Sequence, residues 1–195
     1  MIAAMTAERA AFQLMSVEDY LAWEETQNER HEYVGGMVYA MAGGTRDHAA
    51  VIANSLIAIG ARLRGKPCRP YGSDLKVRIE YPTHTRFYYP DVTVICEMGP
   101  GQAVYHDRPA VIVEVASEST RRTDELEKKD AYLSIPSLHA YIQMEQDAVA
   151  AVVWRRGDAG FVRETYAGLD VVIPLPEIGA ELPMAEAYEG VALGL

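Results

Sequence analysis

The stretch 87-FYYPDVTVIC-96 opens on aromatic residues, runs through β-branched ones and closes on a cysteine, the composition of a buried strand. Its anomaly is Pro90-Asp91, because a carboxylate at the mouth of a hydrophobic strand must be solvated, paired or holding something. A second apolar run, 109-PAVIVEVASES-119, is interrupted in the same way by Glu114. Side chains alternate across a strand, so Ala110, Ile112, Glu114 and Ala116 share one face and Val111, Val113 and Val115 the other. If the two runs pair antiparallel through a symmetric turn over residues 97–108, partner numbers sum to 205 and Asp91 lies opposite Glu114. Opposed Cβ atoms sit about 4.5–5.5 Å apart, close enough for two carboxylates to share one divalent ion and repulsive without it. Oxygen ligands select Mg²⁺ or Mn²⁺ over Zn²⁺. The plainer alternative is a Pro-Asp strand start and an acid facing solvent at a sheet edge.

Around this pair the pattern alternates between helical and strand-like segments. Ser16-Val-Glu-Asp19 has capping-box spacing and predicts a helix over SVEDYLAWEETQNER. The segment 32-EYVGGMVYAMAGG-44 reads as a hairpin turning at Gly35-Gly36. Ile52, Leu56, Ile59 and Leu63 recur at helical spacing, predicting a helix from about Asp47 to Arg64 that Gly65 and Pro67 stop. Strands are expected at 74–79, 91–96 and 110–117, then a polar helix from Thr123 to Ser134, then a strand-rich remainder. The order specifies an α/β (α+β) domain whose mixed, mainly antiparallel sheet is flanked by helices. Residues 16–195 make one domain, with 1–15 as a flexible extension.

Composition narrows the function. With 49% hydrophobic and 24% charged residues the chain is of globular type, and no uncharged run approaches the roughly 18 residues of a membrane span. The N-terminus lacks a positive n-region, so a cytoplasmic address is expected, and Cys68 and Cys96 read as buried thiols of a reducing compartment. The net charge of −10 is uneven: no Lys or Arg follows Arg163. Arg62, Arg64, Lys66, Arg69, Lys76 and Arg78 instead form a basic track against Asp74 and Glu80, and such a track could touch phosphates. A solvated loop and strand face is the ordinary meaning of the same residues.

Taken together, Glu32, SDLKVRI, YYPDVTVIC, PAVIVEVASEST and the series Asp124, Lys128 and Tyr132 resemble the Uma-two-type restriction endonuclease family, a branch of the PD-(D/E)XK nuclease superfamily. The resemblance implies a restriction-endonuclease-like core and a metal-dependent endonuclease acting on DNA. It implies Asp91 and Glu114 as metal ligands, joined by the carbonyl of Val115, and Lys128 as the catalytic lysine. Glu32 becomes a further acid through the same resemblance, and Asp74 is similar. His48, opening the long helix, could donate to a phosphate, and Asp124 and Tyr132 lie on the Lys128 face of their helix. Lys129 points about 100° away, toward solvent.

One departure stands out. The superfamily lysine belongs two positions after the glutamate, where this chain has Ala116, so the lysine is expected to arrive from the next helix. Glu118 also replaces the proline expected in relatives. DNA is the expected partner, no membrane is expected, and a homodimer is allowed. The competing function is a nuclease-fold protein that binds DNA or a partner protein without cleaving. A nucleophilic Cys96 would need a base beside it, and none is evident in the sequence.

Overall fold

A computed structural model describes residues 14–41, 43–116 and 124–193, with the side chains of Asp124 and Glu125 outside that description. The expected N-terminal extension falls almost wholly outside the described residues, as do the 117-SEST-120 turn and Thr123. Helix α1 spans Val17–Glu24. Ser16 caps it by accepting from the Asp19 N–H and donating to the Asp19 carboxylate, a capping box closed by an acid. The helix stops well short of Arg30, because the Thr26 hydroxyl and the Gln27 amide both donate to the Trp23 carbonyl and draw the chain into a turn.

Strands β1 (His31–Val34) and β2 (Met37–Ala40) form the expected hairpin. Gly35 and Gly36 have φ of 57° and 100°, the positive values that a primed two-residue turn requires. Helix α2 (Arg46–Arg62) starts on Thr45, whose hydroxyl accepts from the His48 N–H, and turns out at Gly65 with φ of 77°.

Beyond it come β3 (Arg69–Gly72), β4 (Lys76–Glu80), β5 (Thr85–Tyr88), β6 (Val92–Ile95), β7 (Tyr105–His106) and β8 (Val111–Ala116). Helix α3 (Asp124–Leu133) precedes β9 (Ala140–Glu145), β10 (Ala150–Gly157), β11 (Gly160–Ala167), β12 (Val172–Leu175), β13 (Ala180–Pro183) and α4 (Met184–Ala187). Where the sequence pattern shows three strands between Asp74 and Ser117, the chain folds two more. β3 carries Pro70 and Gly72 and escapes a strand pattern because it is an edge strand, where a missing donor costs nothing.

The strands make a five-stranded sheet in the order β2-β1-β5-β4-β7, a six-stranded sheet in the order β11-β10-β9-β8-β6-β3 and the small β12-β13 pair. Pairing is antiparallel except for β4 with β7 and β8 with β9. β6 and β8 pair Val92 with Val113 and Val94 with Val111, the register expected from the sequence. Val111, Val113 and Val115 pack with Val51 and Ile59 of α2 on one side of the six-stranded sheet. Ile112 packs on the other with Val77, Tyr88 and Tyr132, between the two sheets and α3. Val111, Ile112 and Val113 have no exposed surface, and burying each contributes about 1.5–3 kcal/mol. Glu114 therefore points toward the space between the sheets.

One expectation is overturned here. Cys68 and Cys96 are not free thiols but a disulfide, formed because they extend the β3–β6 register by one pair beyond Arg69 and Ile95. The cysteines thus give no support to a reducing compartment. No helix among the described residues is long and apolar enough to cross a membrane.

Candidate active site

Asp91 stands one residue before β6, and the next pair in the β6–β8 register sets it opposite Glu114. Its Oδ2 accepts the Val115 N–H at 2.8 Å, which fixes the carboxylate against the β8 backbone. The His48 ring, near the start of α2, lies beside them. Its Nε2 is 3.0 Å from the Val115 carbonyl and 3.8 Å from Asp91 Oδ2, so a proton on Nε2 would be donated to that carbonyl. A Cβ at Gly44 would lie 2.3 Å from His48 Nδ1, so only glycine lets the loop pass so close to the ring.

Glu114 accepts the Tyr132 hydroxyl at 2.8 Å. The two acids lie within hydrogen-bonding reach of each other in a site that excludes most water, and they respond as such a pair must. Burial pushes Asp91 up to about 6, against the pull of the Val115 N–H. Burial and then the Asp91 charge push Glu114 up to about 8. Near neutral pH the metal-free pair thus retains a proton.

Lys128 enters from α3, its Nζ 2.8 Å from Glu32 on β1 and 5.6 Å from the centre of the Tyr88 ring. Glu32, Asp91, Glu114, Val115, Lys128 and His48 together line a cavity of about 410 Å³, shared with Val34, Tyr39, Met41, Tyr88 and Tyr89. Tyr132 adjoins it through Glu114.

Other residues singled out by sequence are elsewhere. Asp74 lies on the β3–β4 turn with 88% of its side chain exposed and an ion pair to Arg30, outside the cavity lining. Asp124 begins α3 and its side chain falls outside the described residues. The members of the basic track sit on separate elements, and several are already engaged. Glu186 grips Arg62 at 2.7 Å and Asp107 holds Arg78 at 2.8 Å. Lys76 is buried over the Tyr89 ring, where desolvation lowers its pKa, and Lys66 donates to the Gly179 carbonyl. Arg64 and Arg69 remain exposed. Lys129 does not reach freely into solvent but lies 5.6 Å from the Trp154 ring centre.

Sequence reasoning did not single out Tyr89, whose hydroxyl donates to Glu24 at 2.7 Å and ties the cavity wall to α1. It did not single out Tyr39 either. The Tyr-Tyr preceding Pro90 was the available signal for Tyr89.

Residues 17–185 match the sequence profile of Uma2, described as "Putative restriction endonuclease". The chain belongs to the Uma2 family. An uncharacterised Synechocystis protein, slr1290, is 32% identical over 186 residues, covering 94% of this chain and 96% of its own. A second Synechocystis protein, sll1609, is 26% identical over 140 residues, covering 70% of this chain and 78% of its own. Among solved structures, a putative nuclease of DUF820 from Anabaena variabilis superposes with a TM-score of 0.71 at 15% identity, over 91% of this chain and 99% of its own. The Uma2 chain therefore has a restriction-endonuclease-like fold, as its sequence implied.

The donor set around Asp91 was then tested against a divalent cation. Two facing carboxylates and the Val115 carbonyl offer only oxygen, the chemistry that suits Mg²⁺ or Mn²⁺. Among the described residues no group of three or more His, Cys, Asp or Glu side chains is arranged to hold a metal. That still suits Mg²⁺, which keeps several waters and commonly takes one or two carboxylates plus substrate phosphate oxygens. The residues fit.

Proposed function

We propose that this Uma2 protein is a metal-dependent endonuclease that hydrolyses DNA phosphodiester bonds. The observation that supports it best is the partly buried Asp91–Glu114 pair, which holds a proton where a cation would satisfy both carboxylates, with the Lys128 ammonium in the same cavity. Asp91, Glu114 and the Val115 carbonyl would hold Mg²⁺ or Mn²⁺. A bound cation supplies Lewis-acid polarisation of the phosphoryl group and neutralises charge building on it.

The chain's own groups do the positioning. The Val115 N–H fixes Asp91, the Tyr132 hydroxyl fixes Glu114, and His48 holds the Val115 carbonyl. Lys128, steadied by Glu32, orients the attacking water and offsets negative charge in the transition state. Water oxygen forms the new bond to phosphorus as it loses a proton to solvent, the bridging P–O ester bond breaks, and the departing alkoxide takes up a proton from solvent.

The second reading, a nuclease-fold protein that binds DNA or a partner protein without cleaving, draws on Ala116, which occupies the position where the superfamily carries its lysine. Nicking of supercoiled plasmid separates the two. Purified protein should nick with Mg²⁺ or Mn²⁺, stop with EDTA, and lose activity in Asp91→Asn and Glu114→Gln. A folded wild type that nicks nothing under these conditions leaves the second reading.

A further inference from the structure

The wall of the cavity facing the acids is aromatic and open. Tyr39 pairs directly with Glu32 across β1 and β2, so the two side chains stand on the same face with Cβ atoms about 4.5–5.5 Å apart. Val34, two residues beyond Glu32, shares that face and also lines the cavity. Because β2 is the edge of the five-stranded sheet, nothing in that sheet lies beyond Tyr39, and the residue is 46% exposed. Its hydroxyl donates only weakly, 3.5 Å from the Met37 sulfur, and its ring meets the cavity beside the Glu32–Lys128 pair. A large exposed aromatic at this point is a surface for a flat ligand.

The charges decide which ligand. Duplex DNA is gripped mainly through its phosphates, and that grip needs free cations spread along the protein. Here Arg62, Arg78, Arg86, Arg108 and Arg155 each lie within ion-pairing distance of a carboxylate, and the exposed Arg64 and Arg69 lie outside the cavity lining. The partner of Arg86 is Glu127, itself on the cavity wall, so the charge of that arginine is already met at the cavity's edge, and Glu32, Asp91 and Glu114 line the cavity itself with carboxylates. An unpaired strand brings half the phosphate density of a duplex and exposes base faces that stack on aromatic rings, an affinity that does not depend on phosphate contacts.

We infer that the site acts on unpaired DNA, with Tyr39 as the platform on which a base stacks while its phosphate lies toward Asp91, Glu114 and Lys128. This deepens the nuclease reading and rests on it for the position of the phosphate. Tyr39 is a binding residue that sets the preference for unpaired strands.

The test reads binding without cleavage. A fluorescein-labelled 12-nucleotide strand and its duplex are titrated by anisotropy in Ca²⁺, with wild type, Tyr39→Leu and Tyr39→Phe, each first checked for an unchanged melting temperature. Stacking of one base corresponds to roughly 5- to 100-fold in affinity. The wild type should bind the single strand at least about tenfold tighter than the duplex. Leu should abolish most of that margin, and Phe, which keeps the ring, should retain it. Equal wild-type affinity for the two forms, no binding of the single strand, or a Leu variant indistinguishable from wild type overturns the inference. Cleavage of the same labelled single strand in Mn²⁺ tells its failure from that of the nuclease reading. Tyr39-dependent binding without cleavage of that strand removes the nuclease, whereas cleavage with equal affinity for both forms removes the platform.

Discussion

The partly buried acid pair should make metal-free protein lose stability as pH rises through the neutral range. Glu114 is raised by burial from an ordinary 4.5 to about 8, so the folded chain keeps a proton that the unfolded chain has released. Unfolding then releases protons, and stability falls with increasing pH between those two values. Each pH unit costs about 1.4 kcal/mol, so going from about pH 4.5 to 7 costs roughly 3 kcal/mol. For a chain of this length 1 kcal/mol moves the melting temperature by about 2–4 °C, giving a fall of about 10 °C. Asp91, raised from 3.8 to about 6, adds in the same direction at the lower end.

Glu164, Glu186 and Asp107 are lowered by their arginine partners, so their stabilising contribution is complete above the ordinary carboxylate range and stays flat in this window. The assay is a melting series in EDTA from pH 5 to 8, on wild type and on Glu114→Gln, whose amide oxygen can still accept from Tyr132. The wild type should melt progressively lower as pH rises and the variant should be much flatter. Mn²⁺ should recover the lost stability most strongly at the alkaline end, because binding requires both carboxylates ionised. Parallel curves for the two proteins would refute the argument, since the slope would then come from general charge repulsion.

Lys128→Ala should lower plasmid cleavage by orders of magnitude while Mn²⁺ affinity, read by calorimetry, changes little; Lys129→Ala, whose ammonium lies over Trp154, should leave cleavage within a few-fold. Gly44→Ala places a methyl group on the His48 ring, so it should displace the imidazole and weaken Mn²⁺ binding, with calorimetry as the check. Reducing the Cys68–Cys96 bond, which closes a loop with a sequence separation of 28, should lower unfolding free energy by about 3–4 kcal/mol in urea titrations. Replacing Arg78 by Gln should barely change the salt dependence of DNA binding, because Asp107 already neutralises Arg78, with the salt slope of a binding titration as the check.

The parts legible in the sequence are those with a local or periodic cause. Gly35-Gly36 specified its turn, Ser16 its cap, and the β6–β8 register followed from the short connection and the strict alternation around Glu114. What escaped depends on partners distant in sequence. β5 reads as a mixed stretch in 85-TRFY-88 because Arg86 is balanced by Glu127 from a helix some forty residues away. The early end of α1 reflects the Thr26 and Gln27 side chains competing for one carbonyl. Charge clustering between Arg62 and Arg78 reads as a surface along the chain, but the residues fall on α2, β3, β4 and the segments between them. Acids from the C-terminal segment already meet Arg62, and Asp107 meets Arg78.

The lysine's position ties the chemistry to the packing. On β8 the place two after Glu114 belongs to Ala116, 6% exposed, and the ammonium is supplied by α3. Tyr132, one turn beyond Lys128, puts its hydroxyl on Glu114, so a single face of α3 both delivers the cation and grips the acid. That face is seated by the Tyr132 ring, 5.6 Å from Tyr88 of the five-stranded sheet and 5.6 Å from Tyr141 of the six-stranded one. Glu32 then receives Lys128 from the five-stranded sheet while Glu114 comes from the six-stranded one. A strand-borne lysine would be placed by one backbone alone. Here the acids come from β8 and the start of β6, the lysine from α3 and its counter-ion from β1, and they meet only when α3 is docked between the sheets, so the site exists only in the fully packed fold.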